Sequence, residues 1–365
     1  MGNCQYSDRE LADKLNSFYL RFDVNDFSVE QRNLKDNVTT DERVFIDKES
    51  VFRSLRSNKT RKSPGPDNIS GHVLKFCAEQ LCDIFHFIFQ LSLDLQTVPN
   101  VWKQATVVPV AKKNNPMVFN DFRPVALTSL AMKSFEKLIK WKILDKVQHL
   151  LDPLQFAYRA GRGVEDATLT LLNLVYKHLE GNKTHARILF VDFSSAFNTI
   201  QPHLLAEKLL SRFNLDFKLV GWIIDFLTNR CQCVRVNRCV SSESFTSTGS
   251  PQGCVLSPLL YILYTDDCRS RHQDRHIVKF ADDSALVSLL RDCETDHGPV
   301  VNDFINWCEN SFLHLNVNKT KDMCIDFRRG KSPPKPTTIG GAEIEIVSKY
   351  KYLGSTLDDK VGRKY

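Results

Sequence analysis

Residues 277–287 read Ile-Val-Lys-Phe-Ala-Asp-Asp-Ser-Ala-Leu-Val, which places two adjacent carboxylates, Asp282 and Asp283, between two apolar runs. Two strand-like runs around a short polar break predict a β-hairpin whose tip carries the acidic pair. Adjacent like charges repel each other, so a bound cation stabilises such a pair. Hard divalent ions such as Mg²⁺ prefer carboxylate oxygens. The stretch therefore predicts a metal-binding hairpin.

A third carboxylate, Asp192, ends the apolar run Ile188–Asp192. One Asp at the end of a strand and two at a hairpin tip can together hold a pair of metal ions, the arrangement that clamps an in-line phosphoryl transfer. A Phe-Ala-Asp-Asp tetrapeptide arises by chance, so the acidic pair alone is weak evidence. The interpretation depends on the motifs around it.

A second acidic pair competes for the same interpretation. Asp266 and Asp267 follow Tyr264-Thr265 and also form an aromatic-x-Asp-Asp motif, but the apolar run before them has helical length. Carboxylates at a helix C-terminus are disfavoured by the helix dipole, and no second strand closes a hairpin there. We therefore predict that Asp282 and Asp283 are the functional pair and that Asp266 and Asp267 form an exposed turn.

Further motifs surround these carboxylates in a defined order. They are Lys-Ser-Pro-Gly-Pro-Asp at 62–67, Val-Val-Pro-Val-Ala-Lys-Lys at 107–113, Asp-Phe-Arg-Pro-Val-Ala-Leu at 121–127, Gln-Phe-Ala-Tyr-Arg-Ala-Gly-Arg-Gly at 155–163, Phe-Val-Asp-Phe-Ser-Ser-Ala-Phe at 190–197, Ser-Pro-Gln-Gly-Cys-Val-Leu-Ser-Pro at 250–258, Leu-Asn-Val-Asn-Lys-Thr at 315–320 and Tyr-Lys-Tyr-Leu-Gly at 350–354. In this order, from about Lys62 to Leu357, the chain resembles the reverse transcriptase of a non-LTR (LINE-type) retrotransposon, and jockey-like elements most.

The resemblance implies an α+β fold: a right-hand polymerase core of fingers and palm, with an antiparallel palm sheet backed by helices. It implies RNA-directed DNA polymerase activity, with an RNA template, a DNA primer and deoxynucleoside triphosphates as partners. Two Mg²⁺ ions, or Mn²⁺ in their place, are the implied cofactors. The implied catalytic residues are Asp192, Asp282, Asp283 and Lys319; the three aspartates bind metal, and the lysine protonates the leaving pyrophosphate.

The remaining site residues also follow from the resemblance. Phe197 would be the steric gate that excludes ribonucleotides. The turn with Gln252 and Gly253 would lie beneath the template base pair, and Gln252 would face the incoming nucleotide. The other substrate-binding candidates are Phe193, Lys112 and Arg123, of which the two cations would meet the triphosphate, and Arg159, which would contact phosphate or template. The primer-grip candidates are Tyr352, Leu353 and Gly354. Read alone, Phe197 could equally be a core aromatic, Lys319 a surface lysine and each arginine a solvated group.

We expect five regions: an N-terminal extension at 1–60, fingers and the entry to the palm at 61–186, the palm at 187–326, a basic Pro-rich linker at 327–340, and a primer-grip hairpin with a truncated thumb at 341–365. The family usually continues into a helical thumb and often carries an endonuclease domain before the polymerase. We expect neither here, so primer–template affinity is open to question.

Bulk composition leaves two rival functions open. The net charge of +6 over 365 residues is compatible with a nucleic-acid partner without demonstrating one. A truncated or domesticated RNA-binding protein without activity is one alternative. A two-metal nuclease of the ribonuclease H type is the other, but no set of four acidic residues can be placed after Asp283.

The sequence contains no signal peptide and no apolar stretch of about 18 residues. We therefore expect an intracellular protein, in cytoplasm or nucleus, without a membrane partner; the oligomeric state stays open.

Overall fold

The computed structural model of the chain describes residues 6–23, 29–30, 32–33, 43–182, 184–291, 297–329 and 333–360. The chain divides into two compact units that are each discontinuous in sequence. The first unit comprises Met1–Leu150 and Phe197–Leu263, and the second comprises Leu151–Ala196 and Tyr264–Tyr365. The five-region division expected above remains a prediction.

The architecture mixes helices with antiparallel and mixed sheets, which confirms the α+β class at this level. The helices are α1 (Asp8–Tyr19), α2 (Lys48–Arg56), α3 (Gly71–Phe76), α4 (Ala78–Asp94), α5 (Leu130–Val147), α6 (Val164–Leu179), α7 (Pro202–Ser211), α8 (Phe217–Leu227), α9 (Ser257–Tyr264) and α10 (Gly298–Asn310). Short 3₁₀ helices span Asn100–Trp102, Phe119–Asp121 and Ala196–Thr199.

The strands are β1 (Ala105–Ala111), β2 (Phe122–Thr128), β3 (Thr184–Val191), β4 (Arg230–Val236), β5 (Cys239–Val240), β6 (Ser244–Thr246), β7 (Arg275–Phe280), β8 (Asp283–Arg291), β9 (Lys321–Asp326), β10 (Thr338–Ile339), β11 (Ala342–Glu343), β12 (Lys349–Tyr352) and β13 (Ser355–Asp358). Among the described residues, no helix is long and apolar enough to cross a membrane.

The first unit contains a mixed sheet in the order β2-β1-β4-β5, with β6 also paired to β4. Strands β1 and β2 form an antiparallel hairpin, and β1 pairs with β4 in parallel. Helix α1 covers this sheet with an apolar face, and its Leu15 packs in one cluster with Val107 and Val234. A Ser7 capping box begins α1 because the hydroxyl accepts from the amide of Glu10.

An aromatic core joins helices α4, α5 and α8 of the first unit. The rings of Phe89 and Phe135 stack with centroids 4.3 Å apart, and Trp222 meets Phe135 edge-on at 4.9 Å. Apolar residues recur along both α4 and α5, and Phe135 and Ile139, which are at helical spacing in α5, are fully buried. Aromatic burial on this scale dominates the stability of a core.

The second unit is built on an antiparallel sheet in the order β7-β8-β3-β9. The central strand β3 is buried along its whole length and pairs with β8 so that Phe190 faces Ala285 and Val191 faces Ser284. Helix α6 packs on one face of this sheet, where Leu171 and Val175 are fully buried. A continuous apolar run such as Ile188–Val191 suits a strand that is covered on both faces.

Two short hairpins follow the sheet in the second unit, one from β10 and β11 and one from β12 and β13. Tyr352 pairs with Ser355, so Leu353 and Gly354 form a two-residue turn with φ of +48° and +91°. Such a turn matches the right-handed twist of its strands. Residues 330–332, inside the expected Pro-rich linker, lie outside the described residues.

Candidate active site

The predicted acidic hairpin is present in the second unit. Strands β7 and β8 pair in register up to Phe280 and Asp283, which leaves Ala281 and Asp282 at the tip. Ala281 has a φ of +56°, in the left-handed region that residues with a Cβ adopt rarely. The turn is therefore tight, and it presents Asp282 beside Asp283.

Asp192 lies at the same end of the sheet as this hairpin tip. It follows Val191, the last residue of β3, whose partner on β8 is Ser284, the neighbour of Asp283. The carbonyl of Asp192 accepts a hydrogen bond from the amide of Asn316 at 2.8 Å, which ties the strand end to the loop before β9. Strand pairing therefore brings Asp192 close to Asp282 and Asp283, which follow it by about 90 residues in sequence.

The pKa of Asp283 is consistent with the proximity of the three carboxylates. Asp283 keeps contact with solvent, but the protein around its carboxyl limits hydration. This burial, followed by the negative charges of Asp282 and Asp192, raises the pKa of Asp283 to about 6. Like charges that hinder one another's ionisation are relieved by a cation.

The chemistry of the three carboxylates is compatible with a divalent cation, but they do not surround one. The Oδ2 atom of Asp192 is buried and accepts no hydrogen bond from the described residues, and its charged neighbour is the Nζ atom of Lys319. Within the same described residues, no group of three or more His, Cys, Asp or Glu side chains is arranged to hold a metal ion. Mg²⁺ commonly uses one or two carboxylates and takes its other ligands from water and substrate phosphates, so an open set of carboxylates fits it.

Lys319 lies next to these carboxylates. Its Nζ atom is 3.4 Å from Oδ2 of Asp192, and 61% of its side chain is exposed. The turn before β9 positions it, because the amide of Lys319 donates to the carbonyl of Asn316 at 3.1 Å. Its expected role as the proton donor to pyrophosphate stays a prediction. Phe193 is buried, and its ring packs on Phe304 with centroids 6.2 Å apart; its substrate contact also stays a prediction.

The β12–β13 hairpin packs against the strand that carries Asp192. The ring of Tyr350 stacks on Phe190 at 4.1 Å, and that of Tyr352 lies 5.4 Å from the same ring. Burial, then the charge of Asp283, raises the pKa of both tyrosines. The three primer-grip candidates therefore belong to a hairpin that adjoins the acidic site.

Sequence reasoning missed Tyr158, a tyrosine near the carboxylates. Tyr158 has a φ of +58° and a pKa raised by burial and by the charge of Asp282. Tyr158 stands beside Arg159 in a motif that had been quoted, so its position could have been noticed. Its left-handed backbone and its proximity to Asp282 are tertiary features with no local signal.

Arg159 has a structural contact in this unit. Its Nη1 donates to the carbonyls of Asp152 and Gln155, at 2.7 and 3.3 Å, and so holds the loop that precedes α6. Its expected contact with phosphate or template stays a prediction.

The prediction that Asp266 and Asp267 form an exposed turn is wrong for Asp266. Its side chain is 1% exposed, its Oδ1 accepts from the amide of Asp152 at 2.6 Å, and its Oδ2 pairs with Arg269 at 2.9 Å. Asp267 is partly buried and accepts from Nε1 of Trp307 at 3.2 Å. The helix-dipole argument failed because the nearby Arg269 and the amide of Asp152, from a distant segment, offset the unfavourable charge.

In the first unit, the loop with Gln252 and Gly253 is pinned to strand β2. The carbonyl of Gln252 accepts from the amide of Ala126 at 2.7 Å. Gly253 has a φ of +116°, and a Cβ there would lie 2.8 Å from the carbonyl oxygen of Ala126. Only glycine fits this close approach. The nucleotide contact of Gln252 stays a prediction.

Phe197, Lys112 and Arg123 also lie in the first unit. The Phe197 ring stacks on Tyr261 at 4.7 Å, so it has an aromatic support. Arg123 on β2 pairs with Val110 on β1, and Lys112 follows that strand with its Nζ donating to the carbonyl of Asn120 at 2.7 Å. Both cations are exposed on one hairpin, where they could meet a phosphate; gate and phosphate roles stay predictions.

Comparison with protein-family profiles identifies the family to which the chain belongs. A profile described as "Reverse transcriptase (RNA-dependent DNA polymerase)" matches residues 110–357. These residues contain the three carboxylates, Lys319 and the other site candidates. The match covers more than half of the chain, and the protein therefore belongs to the reverse transcriptase family, whose members generally use divalent metal ions.

Curated relatives come from non-LTR elements. The chain is 27% identical over 326 residues to the probable RNA-directed DNA polymerase from transposon BS of Drosophila melanogaster, covering 86% of this chain and 36% of that protein. It is 27% identical to the polymerase from mobile element jockey and 28% identical to the probable polymerase from transposon X-element, both of D. melanogaster, with 86% and 85% of this chain and 35% of each relative covered. The chain spans about a third of these relatives' length.

Proposed function

We propose that the chain catalyses RNA-templated DNA synthesis, in which the 3′-hydroxyl of a DNA primer attacks the α-phosphate of a deoxynucleoside triphosphate and pyrophosphate leaves. The observation that carries the proposal is the convergence of Asp192, Asp282 and Asp283 at one end of the sheet in the second unit. Family membership supports the reaction class. The curated relatives are named as RNA-directed DNA polymerases, which supports an RNA template.

The carboxylates are assigned to two divalent cations, Mg²⁺ or alternatively Mn²⁺. When bound, such ions lower the pKa of the attacking hydroxyl and neutralise the triphosphate. Asp192 and Asp282 are the principal ligands, and Asp283 coordinates or orients its neighbour. Lys319, 3.4 Å from Asp192, is assigned as the proton donor to pyrophosphate, because a lysine near phosphate can act as a general acid.

The substrate-binding assignments follow the same scheme. Phe197 excludes the 2′-hydroxyl, and Gln252 with Gly253 supports the nascent base pair. The cations Lys112, Arg123 and Arg159 contact phosphate or template, for which the planar guanidinium is well suited. The Tyr352–Gly354 turn holds the primer end. Within this proposal the hairpin of β1 and β2 belongs to the fingers, and the sheet β7-β8-β3-β9 is the palm.

Primer extension with an Asp282→Asn variant tests the proposal. Wild-type protein should extend a DNA primer on an RNA template with Mg²⁺ and deoxynucleotides but not ribonucleotides. Asp282→Asn removes a metal-ligand charge at constant volume and should lower the rate by ~100-fold or more. Asp274→Asn, at an exposed aspartate of the same unit, is the matched control and should retain activity.

Other outcomes favour the alternatives. Equal extension by wild type and Asp282→Asn would refute the assigned site. A folded wild type that binds RNA without extending a primer would support the RNA-binding alternative, and Mg²⁺-dependent degradation of nucleic acid would support the nuclease.

A further inference from the structure

A short segment from outside the β7–β8 hairpin pairs with the free edge of strand β7. Strand β7 is at the edge of its sheet, and residues 154–156 add to it in parallel. The amide of Lys279 donates to the carbonyl of Leu154, and the amide of Phe156 donates to the carbonyl of Lys279, both at 2.9 Å. This short pairing places Gln155 alongside the end of β7, two residues before Asp282.

The side chain of Gln155 reaches the hairpin tip itself. It is 1% exposed, and its Oε1 accepts from the amides of Ala157 at 3.0 Å and Ala281 at 3.3 Å. Ala281 is the left-handed residue that directly precedes Asp282. One buried oxygen therefore ties the braced segment to the strained point of the turn.

Packing alone does not explain a glutamine at this position. Its Nε2 is buried and has no hydrogen-bond partner among the described residues, and an unsatisfied buried donor costs stability. An apolar side chain of the same volume would avoid that cost but would release the amide of Ala281. A glutamine at this position is consistent with a requirement for its Oε1 atom, which accepts the hydrogen bond from the amide of Ala281.

Lys279 provides a second anchor for the same hairpin. It is 2% exposed, and its Nζ donates to the carbonyls of Thr265 and Cys268 at 2.9 and 2.8 Å. It also pairs with Oδ2 of Asp152 at 2.8 Å. The amide of Asp152 in turn donates to Asp266, so Asp266, one residue of the second acidic pair, belongs to this support.

We propose that Gln155 and Lys279 are positioning residues that orient the tip of the β7–β8 hairpin, so that Asp282 and Asp283 face Asp192. Neither side chain is assigned a contact with substrate or metal. The inference rests on the proposed function, since it gives these residues a role in the same reaction. The pairing of β3 with β8 fixes the end of β3, where Asp192 lies. It does not fix the turn between β7 and β8, and Gln155 and Lys279 orient that turn. Misplacement of a catalytic group by about 1 Å is enough to slow a reaction strongly.

Gln155→Met tests the proposal because it keeps the volume and removes the acceptor. We expect kcat for primer extension to fall by ~10-fold or more and Mn²⁺ to bind ~10-fold more weakly in an electron paramagnetic resonance titration, as for other groups that orient metal ligands. The KM for deoxynucleotide should stay within about two-fold of wild type, since nucleotide contacts are untouched. Gln273→Met, at an exposed glutamine of the same unit, is the matched control.

A purely structural role predicts a different result. It would lower the melting temperature while the folded fraction kept wild-type kcat and Mn²⁺ affinity, and that outcome would overturn the proposal for Gln155. If Gln155→Met does not fold, Lys279→Arg provides the second test, because it keeps the charge opposite Asp152 but cannot reproduce the three short contacts of an ammonium. We expect several-fold losses of kcat and Mn²⁺ affinity; wild-type values would overturn the role of Lys279.

The Mn²⁺ titration separates this inference from the proposed reaction. If wild-type protein makes no DNA, the proposed function fails, but a loss of Mn²⁺ affinity in Gln155→Met would still support the positioning role. If wild type is active and Gln155→Met matches it in both measurements, the positioning role fails and the proposed function stands.

Discussion

Glu136 is the most unusual ionisable residue of the first unit, because its side chain is fully buried. Its Oε2 accepts from the amides of Val255 and Leu256, at 2.6 and 2.9 Å, just before α9 begins. Burial raises its pKa to about 7, and the two hydrogen bonds only partly oppose that shift. A side chain of α5 therefore holds the loop that follows Gln252 and Gly253.

This raised pKa predicts a pH-dependent stability. The ordinary pKa of 4.5 applies to the unfolded chain, so between pH 4.5 and about 7 the folded state binds the proton more tightly. The contribution of Glu136 is fully present below pH 4.5 and is lost as pH rises through 7. Glu136→Gln cannot titrate, so its free energy of unfolding should fall less than that of wild type between pH 5 and pH 7, by about 1–3 kcal/mol.

Urea unfolding of both proteins at pH 5, 6 and 7 measures this difference. Glu309→Gln, at an exposed glutamate, should reproduce the wild-type slope. Parallel curves for Glu136→Gln and wild type would show that Glu136 has the same proton affinity in the folded and unfolded chains.

At the scale of elements, the acidic site depends on how one hairpin docks on one strand. The β12–β13 hairpin is only four residues long on each side, and a two-stranded hairpin of this size is marginal by itself. Its stacking contact, Tyr350 on Phe190, lies two residues before Asp192. The hairpin is therefore ordered largely by this aromatic contact and by the buried Tyr352 and Leu357.

Tyr350→Ala should loosen the hairpin. Loss of the stacked ring should cost about 1–3 kcal/mol of local stability, so amides of residues 349–358 should exchange hydrogen faster. Primer extension should slow as well if this hairpin holds the primer end. Hydrogen exchange with mass spectrometry and primer extension measure the two effects.

Tyr350→Phe is the matched variant, because it keeps the ring and removes only the hydroxyl. It should behave like wild type in both measurements. Equal exchange in Tyr350→Ala and wild type would mean that the stacking contact does not order the hairpin.

At the scale of the whole molecule, charge is only mildly biased. The chain carries 49 Lys and Arg against 43 Asp and Glu, so general attraction to nucleic acid is weak and local cations must supply phosphate contacts. Lys112 is such a cation, exposed at the end of β1. Each phosphate contact adds a counterion-release term to binding.

Binding of an RNA–DNA primer–template should therefore weaken with salt, and Lys112→Ala should reduce the slope of log K against log [salt] by about one. Lys146→Ala, at an exposed lysine of α5, removes the same charge from a residue with no predicted contact. Fluorescence anisotropy over a range of salt concentrations measures both slopes. An unchanged slope in Lys112→Ala would exclude a phosphate contact.

The sequence alone determined the features that are encoded locally. The acidic tip between two apolar runs, the strand that ends at Asp192 and the order of the motifs were all readable, because alternation and turn chemistry act over a few residues. These features also sufficed to predict the reverse transcriptase family, whose profile matches residues 110–357.

Only the tertiary structure decided which buried polar groups are partners. Asp266 meets Asp152 across 114 residues, Glu136 meets Val255 across 119, and Gln155 meets Ala281 across 126. An isolated acidic residue is expected at the surface, because burying a charge without partners is costly. The long-range pairings supply those partners, and no local pattern in the sequence records them.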